Sequence, residues 1–138
     1  MRPALKALGS VLAGFVLAGA VMMLLEFING RVLYPELAKS AEGVTDREAV
    51  RRIFATAPLG SLWVVVAACG LGGLAGGWLT ARLTRPLTGP VLALAALLTL
   101  AGVANNLMLP PPLWFWIATL IALPAGTLLG ARLAGPTR

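Results

Sequence analysis

Four apolar runs dominate this sequence, and they leave few folds open. A helix needs about 20 mostly apolar residues to cross roughly 30 Å of hydrocarbon. Residues 5–28, 59–81, 90–109 and 113–131 each meet that length, and Glu26 is the only acid within them. Helices of soluble proteins keep a polar face towards water, and these segments have none. The expectation is therefore an all-α membrane protein, a single four-helix transmembrane domain spanning residues 1–138. Residues 30–58 form the one sizeable connection, an outer loop between the first and second spans.

The first run resembles a secretory leader in one respect, because Arg2 and Lys6 precede it and Ala18-Gly19-Ala20 lies inside it. The apolar stretch continues through Leu25, beyond the 7–15 residues of a signal core. An uncleaved first helix is expected. At the span ends, Asn29-Gly30 can close the first helix in a left-handed C-cap. Pro58 suits the start of the second helix, and Thr88 can cap the third. Pro110-Pro111-Pro112 separates the third helix from the fourth, and Pro124 near Gly126 predicts a kink.

The net charge of +6 would suggest nucleic acid in a soluble chain. Its distribution points elsewhere. Arg2, Lys6, Arg82, Arg85, Arg132 and Arg138 fall at one end of a four-span bundle, with no acid among them. Arg31, Lys39, Arg47, Arg51 and Arg52 fall at the other end, near all the acids. Basic residues close to span ends mark the cytoplasmic side. Both termini are expected in the cytoplasm, with loop 30–58 on the periplasmic or extracellular face of a bacterial inner membrane. The partner implied is the lipid bilayer, not nucleic acid. Tyr34, Trp63, Trp114 and Trp116 would anchor the outer interface and Trp78 the inner one, where amphipathic rings are favoured.

Inside the loop, Thr45-Asp46-Arg47-Glu48 has the pattern of a capping box. It predicts a helix from Asp46 to about Ala57 with Val50, Ile53, Phe54 and Ala57 on its apolar face. Pro35 can begin a second short helix that ends near Gly43. Such a loop would serve as a lid over the bundle or as a docking surface.

Within the membrane, helices associate through close approach at small residues. The second span carries two adjacent stripes, Ala68, Gly72, Gly76 and Thr80 beside Cys69, Gly73, Gly77 and Ala81. The fourth carries Ala118, Ala122, Gly126, Gly130 and Ala134, and the first carries Ser10, Gly14 and Ala18. The second span is thus expected to be the central packing helix. Its stripes would serve internal packing, a homo-oligomer or a membrane-protein partner.

Chemistry is sparse. There is no histidine and one cysteine, Cys69, so no metal site, disulfide or dithiol pair is expected. Ser10 and Ser61 have no activating base nearby in sequence, and the reading is of a protein that is not an enzyme and needs no cofactor. Gly70-Leu71-Gly72-Gly73-Leu74-Ala75 mimics a dinucleotide fingerprint, but the acid required about 20 residues later is missing. What remains is a polar cluster. Glu26, Asn105 and Asn106 lie at similar depths near the outer ends of the first and third spans, with Arg31 close by. Intramembrane ionisable groups usually face a bundle interior or a cavity. Glu26 would hydrogen-bond Asn105 or Asn106, or pair with Arg31, either as a structural clamp or as a cation-binding carboxylate.

Residues 102–116 (GVANNLMLPPPLWFW), with 72–78 (GGLAGGW) and Glu26 ahead of Tyr34-Pro35, resemble a group of small bacterial four-span membrane proteins. The resemblance implies the four-helix fold and carries no activity with it. Three functions stay open at this point. One is a structural or accessory protein docking on a larger membrane complex. The second is a small oligomeric transporter or ion- or proton-coupled carrier using Glu26. The third is a lipid- or pigment-binding subunit.

Overall fold

A computed structural model of the chain describes residues 2–84 and 88–135. It is all-α. Helix α1 spans Pro3–Ile28 and runs on through a π-helical turn, Asn29–Leu33. Two short helices follow, α2 at Pro35–Ala41 and α3 at Arg47–Thr56. Three long helices complete the chain, α4 at Leu59–Thr84, α5 at Gly89–Met108 and α6 at Leu113–Leu133. The four long helices are each apolar enough to cross a bilayer, and they pack together. The protein is a multi-pass membrane protein with a four-helix bundle. One end carries the start of α1 and the end of α6, and the other carries α2 and α3.

The first span does not end at Asn29-Gly30. Asn29 has φ −56° and continues the helix, and the Tyr34 N–H donates to the Asn29 carbonyl across five residues at 2.8 Å. That turn satisfies the carbonyl, so a left-handed stop is not needed there, and the Asn29 side chain donates to the Ser61 carbonyl of α4. Among the described residues only Gly43 and Gly135 have positive φ. Gly43 turns the chain out of α2, where a side chain would be strained. The α3 cap also shifts by one residue. Asp46, not Thr45, caps it, accepting from the Ala49 N–H at 3.3 Å, because the helix starts at Arg47 and the carboxylate reaches the third N–H from that position. At α5, Thr88 holds the cap position through its backbone carbonyl, which accepts from Val91 and Leu92, with no side-chain bond. Helix α6 stays continuous through Pro124. Arg85 and Arg138, two of the six basic residues expected at the cytoplasmic end, lie outside the described residues.

Helix α4 touches the other three long helices, most extensively α6 and then α1. Its two small-residue stripes serve different neighbours. A methyl group added to Gly76 would come within 2.6 Å of the Gly14 carbonyl on α1, and one on Gly72 within 2.9 Å of the Ala18 carbonyl. A methyl on Gly73 would come within 2.8 Å of the Leu123 carbonyl on α6. Gly77 abuts the Thr127 carbonyl, and the facing glycines Gly126 and Gly130 abut the carbonyls of Gly70 and Leu74. Contacts this close leave no room for a side chain and gather dispersion and weak C–H···O attraction along the seam. The Thr80 hydroxyl adds a direct tie, donating to the Ser10 carbonyl at 3.0 Å. On α6 the buried face is Phe115, Thr119, Leu123, Gly126, Thr127 and Gly130, while Ala118 and Ala122 are only half-buried.

Candidate functional site

The seams close the bundle at its terminal end, and the opposite end is open. Towards the loop, α1 and α5 separate and leave a cleft of about 470 Å³. Its walls are mainly apolar, with Phe15 and Met22 from α1, Val65 and Cys69 from α4, and Leu98 and Gly102 from α5. Phe54 of α3 forms its roof. Glu26 on α1 and Asn105 on α5 are the polar members, and both are exposed. A second cavity of about 380 Å³ lies under α2 and α3, and Glu26, Phe54, Val65 and Leu109 line both. Glu26 therefore stands where the two spaces adjoin.

Glu26 lies further from the end of its helix than the sequence implied. Because the helix continues to Leu33, Glu26 lies about two turns, roughly 10 Å, inside the end of the span. The full rod from Pro3 to Leu33 has 31 residues, roughly 45 Å at 1.5 Å per residue. That exceeds the hydrocarbon thickness, and its last turns stand among the loop helices.

The polar cluster is only partly assembled. Asn105 faces Glu26 across the cleft without a hydrogen bond to it among the described residues. Asn106 turns away, is 3% exposed, and donates to the Thr119 hydroxyl of α6 at 3.0 Å. Thr119 in turn donates to the Phe115 carbonyl at 2.9 Å. Adjacent residues on a helix point about 100° apart, so the two asparagines cannot both meet α1. Arg31 does not pair with Glu26; it lies 5.6 Å over the Phe27 ring. The ion pairs among the described residues are Lys39–Glu36 and Arg51–Glu48, both exposed on the loop helices. Glu26 is thus an acid in the span with no ion-pair partner among the described residues.

Asn29 is the site residue that pattern reading missed. It is 8% exposed, its Nδ2 donates to the Ser61 carbonyl at 3.2 Å, and its Oδ1 is enclosed without a partner. As a helix-end signal, Asn-Gly speaks for the backbone and not for the side chain. The π turn rotates it inward onto α4, and such turns recur at functional sites. Arg47 was also missed. It donates to the Leu107 carbonyl at 2.6 Å, occupying one of the carbonyls that α5 leaves free at its C-terminus. This bond and the contact of Phe54 with Phe115, 5.7 Å between ring centres, hold α3 over the cleft.

The aromatic residues divide into three settings. Trp63 and Trp114 stack at 5.2 Å, and Trp114 meets Phe115 edge-on at 5.9 Å. Trp63, Trp114, Phe115 and Phe54 therefore form one chain of rings across the loop end. Trp116 lines a separate outer pocket with Arg47 and Arg51, and the Tyr34 hydroxyl packs on Gly60 of α4. At the terminal end, Arg82 lies 5.4 Å over the Trp78 ring and donates to the Ala134 carbonyl at 3.4 Å.

A cleft of this size falls within the range of small-ligand sites. It offers apolar walls, one carboxyl group and one amide, so it can hold a hydrocarbon body and select a polar group. Among the described residues no group of three or more His, Cys, Asp or Glu side chains could hold a metal ion. Comparison with protein-family models, with curated proteins and with solved structures finds no match to this chain.

Proposed function

We propose that the chain is a non-enzymatic accessory protein of the bacterial inner membrane that holds a lipid-like ligand in the cleft between α1, α4 and α5. The observation that carries this reading is the cleft itself, an apolar space of about 470 Å³ at membrane depth with a single carboxyl group on its wall. In the proposed topology the termini are cytoplasmic and the loop is outside, so the cleft faces the outer leaflet. Arg2, Lys6, Arg82 and Arg132 at the terminal end support that orientation. The glycine stripes of α4 are occupied by α1 and α6, so docking on a larger complex would use another surface. Cleft and loop favour ligand holding over docking through those stripes.

Gentle extraction followed by native mass spectrometry tests the reading. Wild-type protein should carry a bound small molecule, and Gly19→Leu should lose it, because a side chain there would project into the cleft. Gly19 lines that space and has nothing within 4 Å of an added methyl group. Identical adduct-free spectra for both proteins would refute ligand holding.

A further inference from the structure

The ligand's polar group can be inferred from what surrounds Glu26. Neither cavity that Glu26 lines contains a lysine or arginine. Arg31 is turned over Phe27, and Arg47 is committed to the Leu107 carbonyl. The other polar side chains that line the two cavities are uncharged. The Asn29 amide interacts with the Glu26 carboxyl group and donates its Nδ2 to the Ser61 carbonyl, and it carries no charge. Glu26 is therefore the one charged residue on the walls of the two cavities. In an apolar setting charge interactions are stronger than in water, and an unpaired carboxylate there is costly.

We propose that the cleft binds a lipophilic cation, an ammonium group on a hydrocarbon body that carries no phosphate or carboxylate. The ammonium meets Glu26 where the two cavities join, and the hydrocarbon lies along Phe15, Met22, Val65 and Leu98. A phospholipid fits less well even if its headgroup is an amine. Its phosphate sits between the amine and the chains, and would be buried in the apolar cleft with no basic side chain to pair it. The proposal rests on the reading of the cleft as a ligand site and adds the charge of the ligand to it.

Three probes with the same twelve-carbon chain separate the two claims: dodecylammonium, dodecanol and dodecanoate. Each is titrated into the full chain in phosphatidylcholine nanodiscs and binding is read by calorimetry, beside Glu26→Gln and Gly19→Leu. Wild type should bind dodecylammonium at least about tenfold more tightly than dodecanol, a difference of about 1.4 kcal/mol, with dodecanoate weakest. In Glu26→Gln the ammonium and the alcohol should bind within twofold of each other. Equal binding of these two by wild type would overturn the proposal while leaving a ligand cleft in place. An ammonium preference that survives in Glu26→Gln or in Gly19→Leu would also overturn it, since the cation would then be bound elsewhere. Failure of all three probes to bind wild type would overturn the ligand cleft as well. The wild-type ranking and Gly19→Leu decide the matter even if Glu26→Gln does not fold.

Discussion

The two ends of the bundle are built from the same four helices and behave differently. At the terminal end, α1, α4 and α6 meet backbone to backbone through Gly14, Gly76, Gly77 and Gly130. At the loop end, Met22 and Glu26 of α1, Val65 of α4 and Leu98 and Asn105 of α5 line a cleft instead. Small residues let helices approach until dispersion and weak polar contacts hold them. Towards the loop α1 and α5 do not meet in this way, and the space between them is roofed by a short amphipathic helix. Close backbone packing at one end and a cleft of about 470 Å³ at the other thus lie along the same rods.

The sharpest test of this contrast is Gly77→Leu. The new side chain would meet the Thr127 backbone, which cannot swing away, and the bundle should lose about 3 kcal/mol or more. Thermal unfolding in mild detergent reads the loss, and an unchanged midpoint would break the account of the terminal end. Phe54→Ala comes next. It removes the roof and the Phe54–Phe115 pair, and about 1.5 kcal/mol is expected from the ring contact and its packing. Hydrogen exchange across residues 47–56 should accelerate while the long helices stay protected. Thr80→Val deletes one interhelical hydrogen bond and should cost about 0.6 kcal/mol. A loss as large as that of Gly77→Leu would mean that polar contacts, and not close backbone approach, hold α1 to α4. Gly19→Leu should change stability least, since its side chain enters open space, and an unfolding penalty like that of Gly77→Leu would show that the loop end is closed after all.

Much of the architecture was legible because hydropathy is a strong, local signal. The four spans, the helical character of the loop and the glycine stripes all follow from residue type and spacing. Their partners were less accessible. That Gly72 and Gly76 face α1 while Gly73 and Gly77 face α6 depends on how α4 is rotated, and both stripes are equally small. The polar cluster shows the limit clearly. Glu26, Asn105 and Asn106 have similar depths in sequence, yet a 100° step along α5 sends Asn106 to Thr119 and leaves Asn105 on the cleft. The π turn was hidden too, because Asn29-Gly30 is equally consistent with a helix end.

The sequence by itself determined that this chain spans a membrane four times as helices, because nothing else satisfies the backbone of such apolar segments in lipid. It also determined that the spans hold a single acid. Only the tertiary structure decided that this acid stands without an ion-pair partner among the described residues, at the junction of two cavities. Helix rotation and separation set which groups meet, and these depend on the summed packing of all four helices rather than on any one of them.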